Sequence, residues 1–161
     1  MKQSMKISDV LSPELTSCNL PGRSKKRILE NIAQMITAQL DGSDELCDIL
    51  FDNFVSREKL GSTGLGNGVA IPHCRTLGVK KIYGFLAKLT TPVDFDAIDD
   101  EPVDLVFALV VPEEKNDEHL STLARIAAIM QNEKSRQILR DCDNDELLFK
   151  TVIGLERKHK L

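Results

Sequence analysis

Val103-Asp104-Leu105-Val106-Phe107-Ala108-Leu109-Val110-Val111 is apolar apart from Asp104, and its reading decides the fold. A run of this kind implies a central strand covered on both faces, because a strand with one wet face would alternate. Pro112-Glu113-Glu114 ends it. Upstream, Lys81–Thr90 is a second strand pattern, and the acidic stretch Pro92–Asp100 between the two reads as a turn region. Val69-Ala70-Ile71 is a short apolar strand, and Leu15–Leu20 alternates partly before Pro21-Gly22 stops it.

Helical patterns surround these strands. Ser8–Leu11 forms a short helical turn ended by Pro13. Ser24 offers an N-cap, after which Ile28, Leu29, Ile32, Ala33, Ile36 and Leu40 recur at helical spacing until Asp41-Gly42. Ser43 opens a second helix, carrying Leu46, Leu50 and Phe54, that reaches about Leu60. The tight turn between the two predicts an antiparallel pair. Downstream, a helix places Leu120, Leu123, Ala127 and Met130 on one side, and Ser135–Arg140 is a short one. Asp143 with Glu146 reads as a capping box for a last helix, whose apolar side is Leu148, Val152 and Leu155. The expected architecture is a single α/β domain over residues 1–161, a mixed sheet flanked by helices on both faces.

Composition narrows the function. At 161 residues, 42% hydrophobic and 29% charged, the chain can bury a self-sufficient core. The net charge is −4, aromatics are few, and only Lys25-Lys26-Arg27 cluster, at a helix start where a solvated face is the expectation. Nucleic acid is therefore not expected as a direct partner. Cys18, Cys47, Cys74 and Cys142 show neither C-x-x-C pairing nor regular spacing, which argues against zinc and a disulfide framework and for a reducing, cytoplasmic setting. The N-terminus lacks a signal-peptide core, and no apolar run reaches membrane-spanning length, so no membrane insertion is expected.

Gly61-Ser62-Thr63-Gly64-Leu65-Gly66-Asn67-Gly68 holds four glycines in eight residues, and no helix survives that. Such a loop can turn backbone N–H groups inward as a nest for anionic oxygens. His73 follows it, with Pro72 restricting the backbone beside the ring. A neutral imidazole nitrogen near pH 7 is a competent phosphoryl acceptor if the other nitrogen is held as a donor. On the residues alone, His73 reads equally as reactive group and bystander. His119, early in the helix after the apolar run, reads as a core-edge residue unless His73 lies near it. Arg57, at the end of the second helix, reads as a surface arginine unless it faces an anion. His159, in the basic tail Arg157–Lys160, is expected to be solvated. The loop is neither a Walker motif, since no Lys-Ser or Lys-Thr closes it, nor a Rossmann fingerprint, since it leads into a strand.

Leu65-Gly66-Asn67-Gly68-Val69-Ala70-Ile71-Pro72-His73-Cys74, with Glu58 seven positions upstream, resembles the active-site pattern of the mannitol/fructose-type enzyme IIA domains of the bacterial phosphoenolpyruvate-dependent phosphotransferase system. Ser56-Arg57-Glu58, Ser62-Thr63-Gly64, Leu105–Pro112 and Glu118-His119-Leu120 look like further landmarks in the family's order. The resemblance implies that His73 is phosphorylated, on the ring nitrogen remote from the backbone, with His119 and Arg57 as companions. Ser62, Thr63, Gly64, Gly66 and Gly68 would contact phosphoryl oxygens. It implies no metal or cofactor, and a carrier of phosphate rather than a turnover enzyme. With no IIB or membrane segment expected and a Met5–Leu11 opening, the chain looks like the family's nitrogen-related branch. That branch implies an HPr-like phosphocarrier as donor and regulated partners such as potassium transporters or sensor kinases.

Three other readings remain on sequence grounds. A sugar-specific IIA would pass phosphate to a IIB component; a metal-dependent hydrolase would use His73, His119 and Glu118; a pure binding module would use no chemistry at all.

Overall fold

A computed structural model describes residues 5–40, 42–114 and 118–159, with the side chain of Glu118 excepted. The helix stop at Asp41, Lys160 of the tail and the Glu118 side chain lie outside that description. A four-residue helix, α1 (Ile7–Val10), and a 3-10 turn (Pro13–Leu15) precede β1 (Thr16–Leu20). Two long helices follow, α2 (Lys25–Gln39) and α3 (Asp44–Lys59). Then come β2 (Gly64–Gly66), β3 (Val69–Ala70), β4 (His73–Thr76), β5 (Tyr83–Val93) and β6 (Val103–Pro112). The chain closes with α4 (Glu118–Gln131), α5 (Glu133–Arg140) and α6 (Asp145–His159).

The strands form one mixed sheet, ordered β1-β5-β6-β3-β2, with β4 also paired to β6. β6 is the spine. It runs antiparallel to β5 and parallel to both β3 and β4, and every residue in it except Asp104 is buried. The nine-residue run thus occupies the place its apolarity implied. α2 and α3 pack on each other and reach β5 and β4; α1, α4, α5 and α6 pack together and reach β5 and β1. Helices therefore cover both faces, around a core that includes Phe54, Phe85, Phe95 and Phe107.

Several local expectations change. The side of α4 turned inward carries His119, Thr122, Ile126 and Ile129 beside the expected Met130, with Leu123 and Ala127 packed at its margin, while Leu120 is 53% exposed and leaves the stripe. The cap of α6 is Asn144, not Asp143: the Asn144 side-chain oxygen accepts the Leu147 N–H at 2.8 Å. Replacing Asn144 by alanine is expected to cost about 1 kcal/mol, read as a lower urea midpoint at unchanged slope; an unchanged midpoint would remove this residue from the capping role. Lys25 is not a bland solvated charge either. Its ammonium pairs with Glu58 at 3.6 Å and Asp96 at 3.0 Å, and lies 5.8 Å from the centre of the Phe95 ring. His159 is half-buried, with Nε2 3.3 Å from the Ser135 hydroxyl.

The glycine-rich segment is a hairpin rather than an open nest. Asn67 (φ 58°) and Gly68 (φ 80°) both adopt the left-handed region, as the two central residues of a type I′ turn require. β2 and β3 pair antiparallel on either side of that turn.

Candidate functional site

β3 and β4 are two pieces of one strand. Val69 and Ala70 face Leu105 and Val106, and His73 faces Leu109, so the register against β6 does not slip across the gap. Ile71-Pro72 makes the gap, since proline has no N–H to continue a ladder. His73 is thus the first residue of a strand, not a loop residue.

The interruption has a chemical result. The Ile71 carbonyl lies 2.8 Å from His73 Nδ1. A carbonyl oxygen only accepts, so Nδ1 carries the hydrogen, and the neutral ring keeps its lone pair on Nε2. The ring is held largely neutral as well. Burial lowers its pKa below the ordinary 6.5, and the Arg57 guanidinium and the neighbouring His119 push the same way, against the Ile71 hydrogen bond and the Glu58 carboxylate.

His73 lines a cleft of about 490 Å³ together with Asn53, Ser56, Arg57, Leu60, Cys74, Arg75, Val111 and His119. The structure therefore brings together the three residues that sequence reasoning singled out. Asn53, Ser56 and Arg57 stand at helical spacing along one face of α3, with Leu60 at its C-cap, a periodicity that could have flagged Asn53, which the sequence reading left out. The Asn53 amide donates to the Arg75 carbonyl at 3.1 Å and to the Thr76 hydroxyl at 3.2 Å, tying α3 to β4. One nitrogen of the Arg57 guanidinium donates to the Gly61 carbonyl at 2.8 Å, which fixes the side chain at the end of its helix. His119 stands in the first turn of α4, at the positive end of the helix dipole. Its Nδ1 is buried with no hydrogen-bond partner among the described residues. Burial pushes the Cys74 thiol up to about 11, so at neutral pH the cleft offers an imidazole nitrogen and no thiolate.

The glycine-rich residues lie apart from this cleft. The Ser62 hydroxyl donates to the Phe95 carbonyl at 2.5 Å and accepts the Gly64 N–H at 3.0 Å. The Thr63 N–H donates to the Glu58 carboxylate, and the Asn67 N–H to Asp99 at 2.8 Å. Gly64 packs on Ala97, leaving no room for a methyl group. Gly66 backs onto Asp99, and Gly68 onto Asp104 and Arg140, beside a separate depression. The inward-facing nest is corrected accordingly: the loop amides at 63, 64 and 67 are spent on side chains of this chain. Ser62, Thr63, Gly64, Gly66 and Gly68 are outside the lining of the His73 cleft, so direct phosphate contact by them has no support in the geometry. Among the described residues no group of three or more His, Cys, Asp or Glu could hold a metal ion. No helix among them is long and apolar enough to cross a membrane.

The sequence and the fold are similar to those of known proteins. The family model described as the phosphoenolpyruvate-dependent sugar phosphotransferase system, EIIA 2, matches residues 9–153, and the chain belongs to that family. Within the family it is similar to nitrogen regulatory proteins. That of Pseudomonas aeruginosa is 43% identical over 152 residues, which is 94% of this chain and 97% of the relative. The crystal structure of nitrogen regulatory protein IIA-Ntr from Neisseria meningitidis superposes with a TM-score of 0.83 at 36% identity, covering 91% of this chain and 98% of that one. The fold alone is shared with Escherichia coli mannitol IIA, solved in complex with phosphorylated mannitol IIB, at a TM-score of 0.72, 16% identity, and 89% and 97% coverage.

Proposed function

We propose that this protein is a phosphocarrier and regulator in a nitrogen-related phosphotransferase branch, accepting a phosphoryl group on Nε2 of His73 from an HPr-like carrier. The observation that carries the reading is the Nδ1–H···O=C bond to Ile71, which leaves Nε2 as the nucleophile in a cleft shared with Arg57 and His119. Family membership and the similarity to nitrogen regulatory proteins support the branch.

Transfer is an in-line displacement at phosphorus. The Nε2 lone pair forms the new N–P bond, and the donor's N–P bond breaks with its electron pair returning to the donor ring. Alignment and charge stabilisation do most of the work in such steps. The Arg57 guanidinium keeps further N–H groups for the phosphoryl oxygens, and His119 with the start of α4 adds favourable potential. Leu60, 85% exposed, lines the cleft and gives a docking partner apolar contact. Phosphorylation would place about −1.5 to −2 charges there, so a partner that docks around the mouth distinguishes the two states. Targets such as potassium transporters or sensor kinases, in the cytoplasm, would be read in this way. No metal or cofactor enters the scheme.

The test is to offer each HPr-like carrier of the source organism, pre-phosphorylated, one at a time. Rapid labelling from a nitrogen-branch carrier is expected, with an acid-labile product. Rapid and selective onward transfer to a sugar-specific IIB would instead favour the carbohydrate-uptake reading.

The tautomer and the lowered basicity give a second check. The ring-proton NMR signal of His73 is expected to titrate with a midpoint below 6.5. Above pH 6.5 the ring is neutral folded and unfolded alike and adds nothing to stability. Below it the unfolded chain binds the proton first, so stability falls with pH. A midpoint at or above 6.5 would contradict the described environment.

A further inference from the structure

The glycine hairpin lies outside the cleft, yet an unbroken chain of polar contacts links it to His73. Lys25 Nζ, itself held by Asp96, lies 3.6 Å from Glu58 Oε1. Glu58 is buried, and its two oxygens face the Thr63 N–H at 2.9 and 3.3 Å. The Thr63 carbonyl accepts the Ile71 N–H at 3.0 Å, and the Ile71 carbonyl accepts His73 Nδ1–H at 2.8 Å. The backbone of Glu58 adds a second tie, its carbonyl accepting the Gly61 N–H at 3.2 Å. Thr63 is itself buried, so an unmet N–H at that position would be costly.

We propose that Glu58 is a positioning residue for phosphoryl transfer, its buried carboxylate acting through Thr63 and Ile71 to hold His73 in the Nδ1–H tautomer with Nε2 as nucleophile. This rests on the reading of His73 as the acceptor.

The chemistry gives the relay a purpose beyond orientation. Attack by the neutral ring places a positive charge on the imidazole as the N–P bond forms, while Nδ1 keeps its proton. The Nδ1–H···O=C bond is therefore stronger in the transition state than before it, and that difference accelerates the step. A carbonyl free to rotate would lose that bond.

The test pairs two readouts on folded protein. Ring nitrogen NMR reports the tautomer of His73 in the unphosphorylated state, and single-turnover transfer from a phosphorylated carrier, varied in concentration, separates docking from the chemical step. Glu58→Ala is expected to turn one dominant tautomer into a mixture and to slow the chemical step about 10-fold or more, with the half-saturating carrier concentration unchanged. Glu58→Gln retains an oxygen for the Thr63 N–H, and is expected to recover the tautomer and most of the rate. Glu58→Asp keeps the charge beside Lys25 but withdraws the acceptor; it is expected to behave like the alanine variant, and replaces it if alanine prevents folding. Wild-type tautomer and rate in the alanine or aspartate variant would overturn the proposal, as would a glutamine variant no better than either. The acceptor reading fails separately, if label persists on His73→Ala protein whatever the tautomer does.

Discussion

His73→Ala protein, offered a phosphorylated HPr-like carrier, is expected to take up no phosphoryl group. Cys74 cannot substitute, because burial holds its thiol pKa near 11 and leaves almost no thiolate. His119 stands in the same cleft, but its Nδ1 is enclosed and lacks the carbonyl that fixes the ring of His73. His73 is only half-buried, so the variant is expected to fold, and its thermal midpoint serves as the control. Stoichiometric label on folded His73→Ala protein would refute the assignment.

The second large effect is expected at Arg57. Its guanidinium spends one N–H on the Gly61 carbonyl and shares the cleft with His73. Removing a preorganised donor from developing charge typically slows such a step about 10²-fold, and that is the loss expected for Arg57→Ala in single-turnover transfer. A half-buried arginine at a helix end contributes little to the core, so stability is expected to change by less than about 1 kcal/mol. Arg57→Lys is expected to recover part of the rate, because it restores charge but not the planar fork of donors. Arg57→Ala transferring at the wild-type rate would confine this residue to holding Gly61.

Much of this was legible in the sequence, for identifiable reasons. The run at 103–111 admits few structures, and β6 with both faces covered follows from it. The helices at Ser24 and Ser43 were announced by capping serines whose hydroxyls accept the N–H groups of Arg27 and Leu46. The clustering of His73, His119 and Arg57 was not legible locally, since it depends on three separate elements meeting at the end of the sheet. Family resemblance supplied that expectation.

The hairpin shows where local reasoning went astray. Four glycines in eight residues suit an anion nest and a tight turn equally, and Asn67-Gly68 is the commoner mark of the turn. What opposes the nest is side-chain capture: Glu58, Ser62 and the distant Asp99 claim the amides of Thr63, Gly64 and Asn67. Lys25 misled in the same way. Beside Lys26 and Arg27 it looks like part of a wet face, and only the fold brings Glu58 and Asp96 to it.

The central claim is that phosphate rests on Nε2 of His73 and nowhere else. Phosphorus and ring-nitrogen NMR of the wild-type protein, labelled from its carrier and kept at alkaline pH, tests it most directly. One phosphoramidate coupled to Nε2 of His73, with Nδ1 unmodified, is the expected result. A phosphoryl group on Nδ1 of His73, on His119 or on any other side chain would contradict the account.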